Sequence, residues 1–148
     1  MKRVFLSMSL LLAVGVTNVQ ASSAGDPGDK VKASFAKEFA GAQSVEWTLE
    51  GDYISALFVL NRHRVIAYFN TTGELQGYAR GISFNELPLV VTILLDKHFS
   101  KADFTDILEI TNDEGTCYKV TVETGNKRYR VEANANGMLH KAILSKNQ

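Results

Sequence analysis

Three histidines, His63, His98 and His140, and a single cysteine, Cys117, are the side chains with the most chemistry to offer. The histidines lie far apart and lack the short spacings at which histidine, cysteine and carboxylate converge on zinc. The sequence therefore calls for no metal, and nothing in it calls for a cofactor. His98 falls at the end of a helical stretch, where a cation suits the helix dipole. No G-x-S-x-G elbow, H-E-x-x-H helix or glycine-rich phosphate loop occurs. The aspartates and glutamates are scattered over turns and helix surfaces, where such side chains are ordinarily solvated charge. Trp47 alternates with Val45 and Leu49, which makes it a core residue before it is a ligand platform. The chain reads as a protein that is not an enzyme.

Position in the chain bounds the function further. Lys2 and Arg3 precede an apolar run from Val4 to Val16, and Val19-Gln20-Ala21 supplies small residues where a signal peptidase cuts. Residues 1–21 read as a cleaved signal peptide, with a periplasmic or secreted destination. The run is too short to span a bilayer, so no stable membrane insertion is expected. Removing Lys2 and Arg3 from the 16 basic residues leaves 14 against 16 acidic, a net charge near −2. A near-neutral chain lacks the basic surface that nucleic acid requires. One cysteine gives no internal disulfide framework, so stability rests on the core.

The elements follow from pattern. Residues 22–29 are polar and rich in Gly and Pro, a flexible lead into a helix capped at Asp29. Val31, Phe35 and Phe39 then recur at every fourth position and define a first amphipathic helix ending near Gly41. Alternation sets in at Val45, Trp47 and Leu49, and strands follow over 53–60, 62–69 and 75–82, separated by Gly- and Asn-containing turns. The stretch Ser83–Ser100 is a second helix, with Asn85 as its cap and Pro88 in its first turn. Its apolar face is Leu87, Val91, Leu94, Leu95 and Phe99. Strands return in 102–110, 117–123, 127–133 and 138–144.

The two halves superimpose. Asn70-x-x-Gly73-x-Leu75 matches Asn134-x-x-Gly137-x-Leu139, and Glu50-Gly51 matches Glu114-Gly115. This reads as an internal duplication, residues 30–82 and 83–145, within one domain spanning 30–145. Each unit alone leaves a sheet face uncovered, so pairing them into one sheet is the economical solution. The expected fold class is α+β: one antiparallel sheet of roughly eight strands with both helices on a single face.

That arrangement leaves the reverse face of the sheet free. If Ala67 and Phe69 point to the helices, then Arg64, Ile66 and Tyr68 point away. The same alternation sends Tyr78, Arg80, Lys119 and Arg130 to the open side, with Leu57 and Val59 as apolar neighbours. Tyrosine and arginine are the types in which binding energy concentrates. These residues form the expected site for a protein or peptide partner. Cys117 falls on the same side, as an inert surface thiol or as the link of a homodimer; a sheet edge is the other route to self-association. The rival reading is a small-molecule carrier or uncharacterised enzyme with a site between helices and sheet.

A family resemblance rests on an ordered set of residues. These are the helix ending in Phe39, Val45-x-Trp47, Tyr53-x-x-Ala56-x-Phe58, Ala67-Tyr68-Phe69 with Gly73-x-Leu75, Leu87-Pro88, Tyr118-x-Val120 and Gly137. Together, over about Lys30 to Leu144, they resemble the beta-lactamase-inhibitor-like, PepSY-like family of small exported proteins of Gram-negative bacteria. The second helix departs from the pattern by ending in His98-Phe99 where a Tyr is expected, and Cys117 is an addition. The resemblance implies a tandem helix-plus-sheet fold, a periplasmic or extracellular home and no catalytic residue. It also implies a likeness to an inhibitor that grips its target with the open face of its sheet.

Overall fold

The structure, a computed structural model, describes residues 24–146, with side chains through His140. The expected signal peptide and the first residues of the flexible lead lie outside the described residues. Helix α1 spans Asp29–Glu38 and is followed by β1 Gln43–Glu50, β2 Tyr53–Leu60, β3 His63–Asn70 and β4 Leu75–Gly81. A 3-10 turn, Phe84–Glu86, leads into α2 Leu89–His98, and β5 Asp103–Asn112, β6 Gly115–Thr124, β7 Lys127–Asn134 and β8 Leu139–Lys146 complete the described residues. The strands form one antiparallel meander of eight, each paired with its neighbours in sequence.

Both helices form where local chemistry allows. Gly28 takes the N-cap position of α1, so Asp29 is the first helical residue rather than the cap; its charge still suits the positive helix end. The second helix begins later than its sequence pattern predicts. Ser83 and Glu86 form a reciprocal capping box, with the Ser83 N–H donating to Glu86 Oε2 at 2.7 Å. That box closes the 3-10 turn, and Pro88 then occupies the N-cap of α2. Asn85 lies inside the turn and caps nothing.

Two cores result. Under α1, Val31, Phe35 and Phe39 meet Ala56, Phe58 and Phe69, with ring centroids of Phe35 and Phe39 each 4.9 Å from that of Phe58. Trp47 packs edge-on to Phe35 at 5.1 Å, a core role. Under α2, Val91, Leu95 and Phe99 meet Val120, Val122 and Val131. Burying a large apolar side chain stabilises by about 1.5–3 kcal/mol, so the inward row of each helix suffices to dock it. The cores lie on the same side of the sheet. Register carries that side across the middle strands: Ala67 pairs with Tyr78, Tyr78 with Thr111, and Thr111 with Thr116, two residues from the buried Tyr118.

Each helix is also approached by a turn. Asn70 Oδ1 accepts from the N–H groups of Thr72 and Glu74, and Asn134 Oδ1 accepts from those of Asn136 and Met138. These Asx turns hold Gly73 and Gly137 at positive φ against the helices. A Cβ on Gly73 would stand 3.0 Å from the Lys30 carbonyl oxygen, and one on Gly137 would stand 2.8 Å from Leu94 Cδ1.

The structure moves two expected open-face residues to the helix side. Phe69 pairs with Leu75, but Tyr68 pairs with Gly77, so Gln76 is an extra residue in β4. A bulge of one residue reverses the phase of everything after it. Tyr78 therefore packs against Phe39, with centroids 5.8 Å apart. Arg80 lies beside it and makes a two-pronged ion pair with Glu109, Nε to Oε1 at 2.7 Å and Nη2 to Oε2 at 3.2 Å. This pair occupies the seam between the two cores.

Replacing Phe58 by Ala should cost about 3–5 kcal/mol of unfolding free energy in urea titration. Tyr78→Ala should cost about 1–3 kcal/mol, because a ring contact with the first core is lost. A Tyr78→Ala variant as stable as the parent would return that residue to the open face.

The open sheet face as candidate functional site

The face away from the helices is built by default. Val65, Ala67 and Phe69 fill the helix side of β3, so Arg64, Ile66 and Tyr68 project from the other. Tyr118, Val120 and Val122 do the same on β6 and leave Cys117, Lys119 and Thr121 outward. On β7, Tyr129 and Val131 are buried, and Arg130 is exposed on the open side opposite Thr121. Five of the seven site residues read from the sequence thus share one surface: Arg64, Ile66, Tyr68, Lys119 and Arg130.

Register orders this surface into rows. Leu57, Ile66, Ala79, Ile110 and Cys117 lie side by side across β2 to β6. Ala79 and Ile110 are 2 % and 7 % exposed although neither helix lies over them. Their flanking side chains therefore already exclude water from the middle of the face. Toward the Gly77 end the next row is Ser55, Tyr68, Gly77 and Asn112. Beyond the apolar row on the other side come Leu108, Lys119 and Glu132, then Thr105, Thr121 and Arg130. The bulge that turned Tyr78 and Arg80 inward leaves Gly77, Ala79 and Gly81 as the open side of β4. A low strip runs down the centre of the face between Ile66 and Tyr68 on one flank and Leu108 and Ile110 on the other. Sequence alternation missed this strip because it counted β4 without its extra residue.

Charge on the face is unevenly paired. Lys119 Nζ lies 3.8 Å from Glu132, and Arg128 reaches Asp106 and Glu123 at 3.3 Å. Arg64 and Arg130 are exposed and have no ion-pair or hydrogen-bond partner among the described residues. Burial, aided by the Glu50 carboxylate, pushes the Tyr68 phenol up from its ordinary range. Burial also raises the Cys117 thiol; Glu132 adds to the shift and Lys119 opposes it. The thiol is half-buried and protonated, which makes it a weak nucleophile.

The histidines do not converge. His63 contacts the Gly81 carbonyl oxygen and Glu86, whereas His98 Nδ1 contacts the Leu94 carbonyl oxygen within α2. Among the described residues no group of three or more His, Cys, Asp or Glu is arranged to hold a metal ion. No helix among them is long and apolar enough to cross a membrane.

A second surface escaped the sequence reading. Leu89, Ile93 and Val90 on α2 are 74 %, 56 % and 41 % exposed, and Met138 beside them is 59 % exposed. With Phe39 laid on Phe99, α1 places Asp29, Lys30 and Ala33 at the matching positions. Two of those three positions are charged where α2 has leucine and valine, and that difference in the sequence was the available signal.

No protein-family model and no curated protein sequence matches the chain. Solved structures do. A BLIP-like protein from Bacteroides fragilis matches with a TM-score of 0.73 at 19% identity, over 84% of this chain and 91% of that one. An inferred periplasmic protein from Bacteroides eggerthii matches with a TM-score of 0.71 at 18% identity, over 80% of this chain and 90% of that one. A DUF2874 family protein from Bacteroides ovatus matches with a TM-score of 0.71 at 18% identity, over 80% of this chain and 89% of that one. Likeness at this identity establishes a shared fold, which is the one the beta-lactamase-inhibitor-like resemblance implies. The PepSY part of that resemblance finds no support among these three.

Cys117 should react with a thiol reagent more slowly in native protein than in urea at pH 8. Its rate should keep rising at pH values where an ordinary thiol has levelled off. Equal native and unfolded rates would contradict its half-buried place on the face.

Proposed function

We propose that this BLIP-like fold serves as an exported, non-enzymatic binding module that holds a protein or peptide against the open face of its sheet. The observation that carries the reading is the composition of that face. An apolar row at its centre lies between Tyr68 and Arg64, with Arg130 two rows away on β7, and neither exposed arginine has a partner among the described residues. Interfaces concentrate their energy in aromatic and arginine side chains around a desolvated centre. Ile66 and Lys119 complete the contact set, while Tyr78 and Arg80 belong to the fold. Inhibition of an extracytoplasmic hydrolase is one outcome of such binding, and likeness to a BLIP-like protein supports it at the level of fold. The apolar N-terminal run and the inferred periplasmic neighbour support a periplasmic or secreted location.

The matched Asx turns, Gly73 and Gly137 against their helices, and the order of one helix and four strands occurring twice support the duplication at 30–82 and 83–145. A carrier or enzyme site between helices and sheet has less support. Aromatic rings in mutual contact fill the space under α1, and the polar pair in the seam, Arg80 with Glu109, satisfies itself. Self-association through the β1 edge is opposed by exposed Glu46 and Glu50 and by the irregular register at Ser44.

Affinity capture with the mature protein from a native envelope, followed by mass spectrometry, identifies the partner. Tyr68→Ala and Arg130→Ala should each weaken capture of it about tenfold or more while leaving the urea midpoint unchanged. Undiminished capture by the double variant would reject the site.

A further inference from the structure

Helix α2 is apolar on a side that the fold does not cover. Val91 and Leu95 face the second core, whereas Leu89, Val90 and Ile93 are exposed. At about 100° per residue, Leu89, Val90, Asp96 and Lys97 all fall within about 60° of Ile93 around the helix, so the five share its outward side. The β7–β8 turn extends the patch. A Cβ on Gly137 would stand 3.0 Å from Val90 Cγ2, and the next residue, Met138, is exposed. Every large apolar side chain left exposed among the described residues belongs to this patch. The equivalent side of α1 carries Asp29, Lys30 and Ala33, so packing a helix on this sheet does not call for an apolar outer side. A contiguous exposed apolar patch marks an interaction surface.

Charge selects the occupant. Helix α2 starts at Leu89 with no side-chain cap and no acidic residue in its first turn. Its first N–H groups have no partner within the helix and form its positive end. Two turns further on, Asp96 and Lys97 are exposed and have no ion-pair or hydrogen-bond partner among the described residues. A second copy of α2, laid antiparallel across the first, answers both ends at once. With Ile93 on the two-fold axis, Ile93 meets its own counterpart, Asp96 of each copy meets the open start of the other helix at Leu89 and Val90, and the methylene stem of Lys97 covers Leu89. A parallel pairing would set Asp96 against Asp96 and bring the two positive helix ends together. The polar outer side of α1 offers no second patch of this kind, so the contact closes at two copies instead of growing into a chain.

We propose that the protein is a two-fold dimer joined through antiparallel α2 helices, with Ile93 at the axis and Leu89, Val90 and Met138 around it. The joined surface lies on the helix side, so both open sheet faces stay uncovered. The pairing does not depend on the binding role given to those faces.

Sedimentation equilibrium of the mature protein in reducing buffer, over about 1–200 μM, tests the dimer. The parent should pass from monomer to dimer within that range, and its urea midpoint should rise with protein concentration. Ile93→Glu should weaken the dimer at least about tenfold and make the urea midpoint independent of concentration. Leu89→Gln should act in the same direction and serves if Ile93→Glu fails to fold. Asp96→Lys, which sets a cation against the partner helix start, should weaken association about threefold or more. Tyr68→Ala, on the opposite face, should leave it unchanged. A parent that stays monomeric throughout, or a dimer that survives both Ile93→Glu and Leu89→Gln, would overturn the proposal.

Discussion

The contact of Phe35 and Phe39 with Phe58 on one side of the seam, and of Val91 and Leu95 with Val120 and Val131 on the other, sets every other feature of the molecule. A helix with one apolar stripe must bury it, and a sheet offers two faces on which to do so. Here both helices use the same face. Each strand then alternates between core and solvent, and the opposite face takes whatever residues the sequence can spare from packing.

What was placed there differs from an ordinary solvated sheet. Leu57, Ile66 and Ile110 form an apolar row, Ala79 and Ile110 are shielded without any covering element, and Arg64 and Arg130 stand without partners among the described residues. The helix side shows the contrasting treatment of charge. Arg80 and Glu109 meet in the seam and neutralise one another, with Glu86 and His63 close by. Charge in the seam is paired between the two cores, whereas Arg64 and Arg130 on the open face have no partner among the described residues.

Most of the fold was legible because its signals are local. Turns with Gly and Asn divide the strands, and the four-residue spacing of Val31, Phe35 and Phe39 marks the helix face that is buried. Features that depend on an irregularity were not legible. Nothing about Gln76 announces a bulge, yet it inverts β4, sends Tyr78 and Arg80 inward and clears the central strip of the open face. Asn85 looks like a cap, but the Ser83–Glu86 pair satisfies more backbone donors and takes the turn. The exposed Leu89 and Ile93 were hidden by a helix apolar on several sides, since apolar spacing alone does not say which residues a neighbour covers.

The most direct test of the account is hydroxyl-radical footprinting of the mature protein, free and with its captured partner bound. Protection is expected at Tyr68, Ile66 and Leu57, with Leu89 and Ile93 of α2 as reactive as in the free protein. Protection confined to α2, with Tyr68 and Ile66 unchanged, would contradict the claim that the uncovered face of the sheet is where this protein binds.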